Sequence, residues 1–346
     1  MAEVMATGKA LKRAAFALAA AAWLMASAGM PAWARNPSNS AAAALVTKGL
    51  DASNIEAKGA PAFRLEARIR VEPGGGQPEE GKLVLIRTPA GWWHQEITLP
   101  GYHNIEISSE MKLWTKSTAN YLPFPVFLTG RAVNIWNWLR HAGGQQLSGP
   151  QTSAATGEAC VTATISADVL RYCFDLLSGN LTRVVDSRWN MAFRYSEYAP
   201  FGTKSFPRLM EVGRRGENPF IEIRVVQLAE EEKPDLRLFL PVKGAKQTPS
   251  EAACDKVEAA QVEKMVPPGY PPEAQRAGIS GIVKLYAEVG TDGIARGMWP
   301  VNSPTPVLTY AAINAIRRWR YRPRTCQSTG TKLPQIQLIT IVFSSP

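Results

Sequence analysis

The sequence predicts an α+β chain: a large curled, half-barrel-like antiparallel β-sheet with one helix, then a small strand, strand, helix, strand unit. Three observations predict it. Short segments across residues 45–229 alternate apolar and polar side chains; a stretch at 230–261 rich in charge and proline interrupts them; and residues 262–346 combine a hairpin signal, a helix-spaced apolar stripe and a closing apolar run. A chain of 346 residues exceeds one ordinary core and suits two domains.

The N-terminus decides what the rest can meet. Lys9, Lys12 and Arg13 precede an apolar and small-residue run from Ala14 to Met30, and Ala32-Trp33-Ala34 supplies a small-x-small site before Arg35. Residues 1–34 therefore read as a secretory signal peptide, with the mature chain starting near Arg35. An uncleaved membrane anchor is the alternative, because the run lies at the short edge of what spans a bilayer. Export removes nucleic acid from the partners that a net charge of +10 would otherwise suggest. Without the leader the excess falls to +8, and residues 262–346 carry most of it, with ten Lys and Arg against four Asp and Glu.

In the first unit, "FRLEARIRV" (63–71) points Phe63, Leu65, Ala67, Ile69 and Val71 one way and its charges the other, a strand with one wet face. The glycines at 74–76 make a loop and lack the Lys-Ser/Thr ending of a phosphate cradle. Four strands follow between residues 82 and 117 at hairpin spacing, then a helix over 125–141, and strands resume from Cys160 to Leu228 with turn residues between them. Eight to ten antiparallel strands and one helix must curl to bury their apolar face. Four cysteines in an exported chain read as two disulfides. Cys160 and Cys173 flank two short strands and a turn, so a local staple there leaves Cys254 for Cys326.

In the second unit, Asp292-Gly293 joins two strands, and Pro300 confines the second to a sheet edge or a bulge. Leu308, Ala312, Ala315, Ile316 and Trp319 then form one stripe about 100° wide on a helix. Arg317, Arg318, Arg320, Arg322 and Arg324 interleave with Trp319 and Tyr321; they read as a basic face over a helix end and the turn after it, with Trp319 in the core below. Pro323 stops the helix and "QIQLITIVF" (335–343) closes the unit.

The Tyr-Pro opening at 270–271, the Gly-x-Val strand, the Asp-Gly turn and the Arg-Trp-Arg-Tyr-x-Pro ending at 318–323 stand in order over residues 266–346. This segment resembles the C-terminal domain of TonB, the energy transducer that touches outer-membrane receptors from the periplasm. The resemblance implies a periplasmic protein whose last strand receives an extended peptide, through Gln335, Gln337, Leu338, Ile339 and Ile341. It stops short of the motor: Ser27 lies in the apolar run without a histidine four residues later, and a folded unit replaces the long proline-rich spacer. The first unit is similar in style to the half-barrels of lipoprotein carriers. On this reading the chain is a non-enzymatic adaptor for an outer-membrane receptor or another envelope protein; the alternative is a carrier of lipid or another apolar ligand, and the basic face offers contact with lipid head groups or cell-wall polymer.

Catalysis and cofactors find little footing. His94, His103 and His141 are too few and scattered for a metal site. Ser109 and Lys112 have the spacing of a penicillin-recognising nucleophile but fall between strands, without companion motifs. No cofactor is expected. Trp92, Trp93, Trp114, Trp136 and Trp138 either line an apolar pocket or fill the core of the sheet, and core filling is the favoured reading.

Overall fold

A computed structural model describes residues 37–344 apart from 58, 73–76, 111, 144, 166–167, 249–253 and 255. The segment 1–34, expected to be a signal peptide, and the glycine loop at 74–76 lie outside the described residues.

One antiparallel sheet of thirteen strands dominates, more than the eight to ten expected. In chain order its strands are β1 (Phe63–Val71), β2 (Glu79–Arg87), β3 (Trp93–Leu99), β4 (Tyr102–Ser109), β5 (Lys112–Ser117), β6 (Leu147–Ser153), β7 (Glu158–Ile165), β8 (Asp168–Asp175), β9 (Leu181–Asp186), β10 (Met191–Phe201), β11 (Lys204–Arg214), β12 (Pro219–Glu230) and β13 (Lys246–Thr248). The order across the sheet is β13-β5-β4-β3-β2-β1-β12-β11-β10-β9-β8-β7-β6, so β1 sits mid-sheet and chain neighbours pair almost throughout. Its expected alternation holds: Phe63, Leu65, Ala67, Ile69 and Val71 are all buried.

Three helices lie on the apolar face: α1 (Pro37–Ser53), α2 (Phe124–Val133) and α3 (Ile135–Gly143). Ala42 and Val46 of α1, Phe124, Leu128 and Ala132 of α2, and Trp136 and Leu139 of α3 join the core with the strands beneath. The single helix expected over 125–141 is two. Asn134 leaves helical geometry at φ −86°, ψ 57°, and its amide donates to the Gly130 carbonyl at 2.8 Å, ending α2 before α3 starts. The helix α1 is not anticipated at all.

The expected linker, 230–261, is a strap across the opposite face. A single 3-10 turn at Leu236–Phe239 buries Phe239 beside Val84, Ile86 and Ile107, with Trp92 and Trp114 packed around it. The Leu238 carbonyl meets His94 Nδ1 at 2.9 Å, Ser109 donates to the Phe239 carbonyl at 3.0 Å, and β13 pairs with β5. Phe239 offers the apolar anchor that a charge count overlooks, and its burial against a wet-looking face fixes the strap.

After the strap come β14 (Val257–Glu258), β15 (Gln261–Lys264), α4 (Pro272–Arg276), β16 (Gly281–Val289), β17 (Ala295–Asn302), α5 (Pro306–Ile316), β18 (Arg320–Arg322), β19 (Arg324–Cys326), β20 (Lys332–Leu333) and β21 (Gln335–Phe343). The sheet β17-β16-β21 carries α5 on one face, with Val283, Leu285, Leu308, Ala312, Ile316, Trp319 and Ile341 in the core between. Thr305 caps α5, its side chain accepting from Leu308 N. The helix ends at Ile316, so Trp319 reaches the core from the turn beyond it. Pro300 lies on the edge strand β17 beside a register shift, as its missing N–H requires. Gly293 adopts φ +75°, and a Cβ there would strike the Tyr321 carbonyl.

Both disulfides form as expected. Cys160 and Cys173 are directly opposed on β7 and β8, and Cys254 joins Cys326 across 72 residues of chain.

Candidate functional site

Two features are available to a partner: a strand edge in the second unit and a cavity in the first. The strand β21 pairs with β16 along its whole length, Gly281↔Phe343 to Val289↔Gln335, and no strand pairs with its other side among the described residues. Ile339, Ile341 and Phe343 point into the core under α5. The alternate side chains Ile336 and Leu338 pack on the first unit instead.

That docking is the feature that sequence reading missed. Tyr286 is fully buried against Phe124 (ring centroids 4.6 Å apart), Phe127 (5.5 Å) and Trp189 (5.8 Å), and its hydroxyl donates to the Leu122 carbonyl at 2.8 Å. Trp299 stacks on Phe220 at 6.3 Å. Glu288 accepts from Leu122 N at 2.9 Å, and Arg214 donates to the Pro300 carbonyl at 3.2 Å. The small sheet is covered on both faces, by α5 and by the first unit. Tyr286 and Trp299 on adjacent strands were the available signal, being large apolar side chains on the side away from the α5 stripe.

Two of the expected peptide-binding residues are already engaged. Gln335 Oε1 accepts from Ala260 N at 2.8 Å and Gln337 Nε2 donates to the Ala260 carbonyl at 3.2 Å. Each glutamine thus spends one of its amide groups on its own chain, Gln335 its oxygen and Gln337 one N–H, which leaves the other end of each side chain for a guest. Leu338 packs on the first unit and Ile339 and Ile341 in the core, so a guest meets chiefly the main-chain edge there.

The basic face also divides. Arg317 and Arg318 are exposed, and Arg318 Nε donates to the Asn314 carbonyl at 3.2 Å. Arg320 donates to the Trp319 carbonyl at 2.7 Å. Arg322 donates to Gln261 at 2.6 Å and lies 3.8 Å from Glu258 and 3.9 Å from Glu263, which neutralise it. Arg324 is half-buried in β19. Trp319 is 2% exposed, its indole donating to the Val266 carbonyl at 2.7 Å.

In the first unit a cavity of about 740 Å³ lies between the concave wall of β2, β3 and β4, the hairpin end of β8 and β9, and the α2–α3 helices. The register builds the wall in rows: Arg87 beside Trp93, Leu85 beside Gln95 beside Glu106, and Ile97 beside Asn104. Opposite stand Phe127, Arg131, Asn134 and Trp138, with Asp168, Asp186, Arg188 and Trp189 at the β8–β9 end. The Arg131 guanidinium lies 4.2 Å from the Trp138 ring centroid and 3.2 Å from Asp186. Burial pushes Asp186 up and Arg131 down, each opposed by the other. Glu106 is raised above the usual carboxylate range by burial, with only the Asn104 amide opposing.

The tryptophans thus split. Trp136 is core, Trp93 and Trp138 line the cavity, and Trp92 and Trp114 hold the strap. The histidines stay apart: His94 serves the strap, His103 meets Glu96 at 2.8 Å, and His141 lies on α3.

Residues 266–344 match the family model described as Gram-negative bacterial TonB protein C-terminal, so the second unit is a TonB C-terminal domain. No curated protein matches the chain. Among solved structures, the chain is similar to a DUF1329 family protein from Desulfovibrio piger ATCC 29098, at 12% identity and TM-score 0.43 over 58% of this chain and 96% of that one. It is similar to a putative outer membrane lipoprotein-sorting protein domain from Vibrio parahaemolyticus, at 8% identity and TM-score 0.39 over 56% and 97%. A LolA superfamily protein from Nitrosomonas europaea gives 9% identity and TM-score 0.40 over 57% and 96%. None of the described helices is long and apolar enough to cross a membrane.

Proposed function

We propose that the protein is a non-enzymatic periplasmic adaptor that receives an extended peptide of an outer-membrane or other envelope partner on the outer edge of β21. One observation carries the reading: the β17-β16-β21 sheet is covered on both faces and ends in a nine-residue strand with one side unpaired among the described residues. An apolar edge of that length is an aggregation hazard unless it is used. Main-chain pairing supplies affinity in strand addition, and the part-exposed side chains of the strand tune it.

A proline scan from Leu338 to Val342 tests it. Successive N–H groups of an edge strand point alternately to the neighbouring strand and to the open side. Proline at an open-side position removes only a donor for the guest, whereas at the other positions it removes a ladder bond. Among variants folded by circular dichroism, capture of partner from outer-membrane extract should fail at alternate positions. Folded variants that all capture partner would move the site to Arg317 and Arg318.

The cavity favours a second reading, a carrier of a small amphipathic ligand in the first unit. Its volume falls in the range of small-molecule sites. Native mass spectrometry of protein taken from the periplasm tests this: a bound small molecule supports it, and an empty chain at all loadings opposes it.

A further inference from the structure

The charges around the cavity can be paired off, and one carboxyl is left over. Arg87 meets Glu56 at 2.8 Å, Arg131 meets Asp186 at 3.2 Å, and Arg188 approaches Asp168 at 4.0 Å. Each cation of the lining therefore has an acidic partner of its own, although burial pushes Glu56, the partner of Arg87, up to about 7. Glu106 has no such partner. Among the described residues no Lys, Arg or His lies within ion-pair distance of it, and its hydrogen bond comes from the Asn104 amide at 3.2 Å. A half-buried carboxyl facing a cavity without a counter-charge is a place where a cation from outside is favoured.

The surroundings say what that cation would be attached to. Glu106 stands beside Gln95 and Leu85 in one row of the wall, with Trp93 one row away, and Phe127 and Trp138 face it from the helices. Aromatic faces attract cations and also accept apolar bodies. Asn104 and Gln95 add acceptors for the remaining N–H groups of an ammonium.

We propose that the cavity binds a ligand carrying a primary ammonium on an apolar body, with the ammonium on Glu106 and the body against Trp93 and the α2–α3 aromatic wall. This rests on the carrier reading and specifies its ligand class. An ammonium seated on Glu106 pairs with its carboxylate form, so wherever that carboxyl carries a proton the proton passes to the buffer as the ammonium arrives.

Titration calorimetry with octylammonium, octanoate and octyl glucoside separates the possibilities. Octylammonium should bind about ten-fold or more tighter than the other two, as expected for one charge-assisted hydrogen bond. Glu106→Gln should erase that advantage while leaving octyl glucoside unchanged. A pH series in two buffers of different ionisation enthalpy should reveal proton release by wild type that Glu106→Gln lacks. Vesicles of phosphatidylethanolamine, depleted relative to phosphatidylcholine, would show that the amine comes on a membrane lipid; no depletion alongside octylammonium binding would show a free amine. Octanoate or octyl glucoside binding as tightly as octylammonium overturns the ligand class and leaves a carrier standing. No binding by any of the three overturns both.

Discussion

The two units solve the same problem of a one-faced antiparallel sheet in opposite ways. The thirteen-stranded sheet curls around three helices and leaves part of its concave wall open as a cavity, whereas the three-stranded sheet is covered on both faces and leaves an edge. A wall offers side chains and so selects a small molecule by its chemistry. An edge offers backbone and so selects a conformation. The contact between the units ties the two together, because Phe127 and Trp189 line the cavity and also pack on Tyr286, one strand away from β21.

The sharpest way to break the contrast is to empty one core. Trp319→Ala should cost about 3 to 5 kcal/mol as a large buried deletion, read as a lowered denaturation midpoint, while Arg317→Ala should stay within about 0.5 kcal/mol. Equal losses would mean that the small sheet is not organised around Trp319. Removing the disulfides comes next. The chain-entropy account gives about 3 kcal/mol for the 13-residue separation of Cys160–Cys173 and about 4 kcal/mol for the 72-residue separation of Cys254–Cys326. Paired Cys→Ser variants compared by denaturant titration check the order. Tyr286→Ala should cost about 2 to 4 kcal/mol and, more tellingly, split one calorimetric transition into two as the units uncouple; a single unchanged transition would contradict the docking.

The smallest effects are in pH, and they have opposite signs in the two units. Asp292 is held down at about 2, chiefly by its hydrogen bonds from Arg296. A carboxyl lowered on folding contributes stability above its unfolded value near 3.8, and that contribution is lost as pH falls through about 2. Glu106 is raised by burial. Its contribution is present below its unfolded value near 4.5 and is lost as pH rises through the folded value. Asp292→Asn should therefore flatten the acid limb of a stability–pH curve, and Glu106→Gln should remove a decline on its neutral side.

What could be read from the chain follows from range. The alternation of Phe63 to Val71, the Asp292-Gly293 turn, the closing strand at Gln335–Phe343 and both cysteine pairs depend on neighbours or on simple elimination, and all stand in the structure. The helix α1 carries an alanine run with no clear apolar stripe, so periodicity gives no signal, and packing against the sheet supplies its stability. The break at Asn134 depends on one side chain reaching back to Gly130. The cavity escapes any local pattern, since it joins β2–β4 to β8–β9 and α2–α3. The glutamines looked free because Ala260, their partner, lies 75 and 77 residues away.

Amide hydrogen exchange along β21, with and without the partner captured from outer membranes, tests the central claim most directly. Without partner, residues 338–343 should show alternate fast and slow amides, the slow ones paired to β16. With partner, the fast set alone should gain protection while β16 and β17 stay as they were. Protection appearing elsewhere while the fast amides of β21 remain fast would contradict strand addition at this edge.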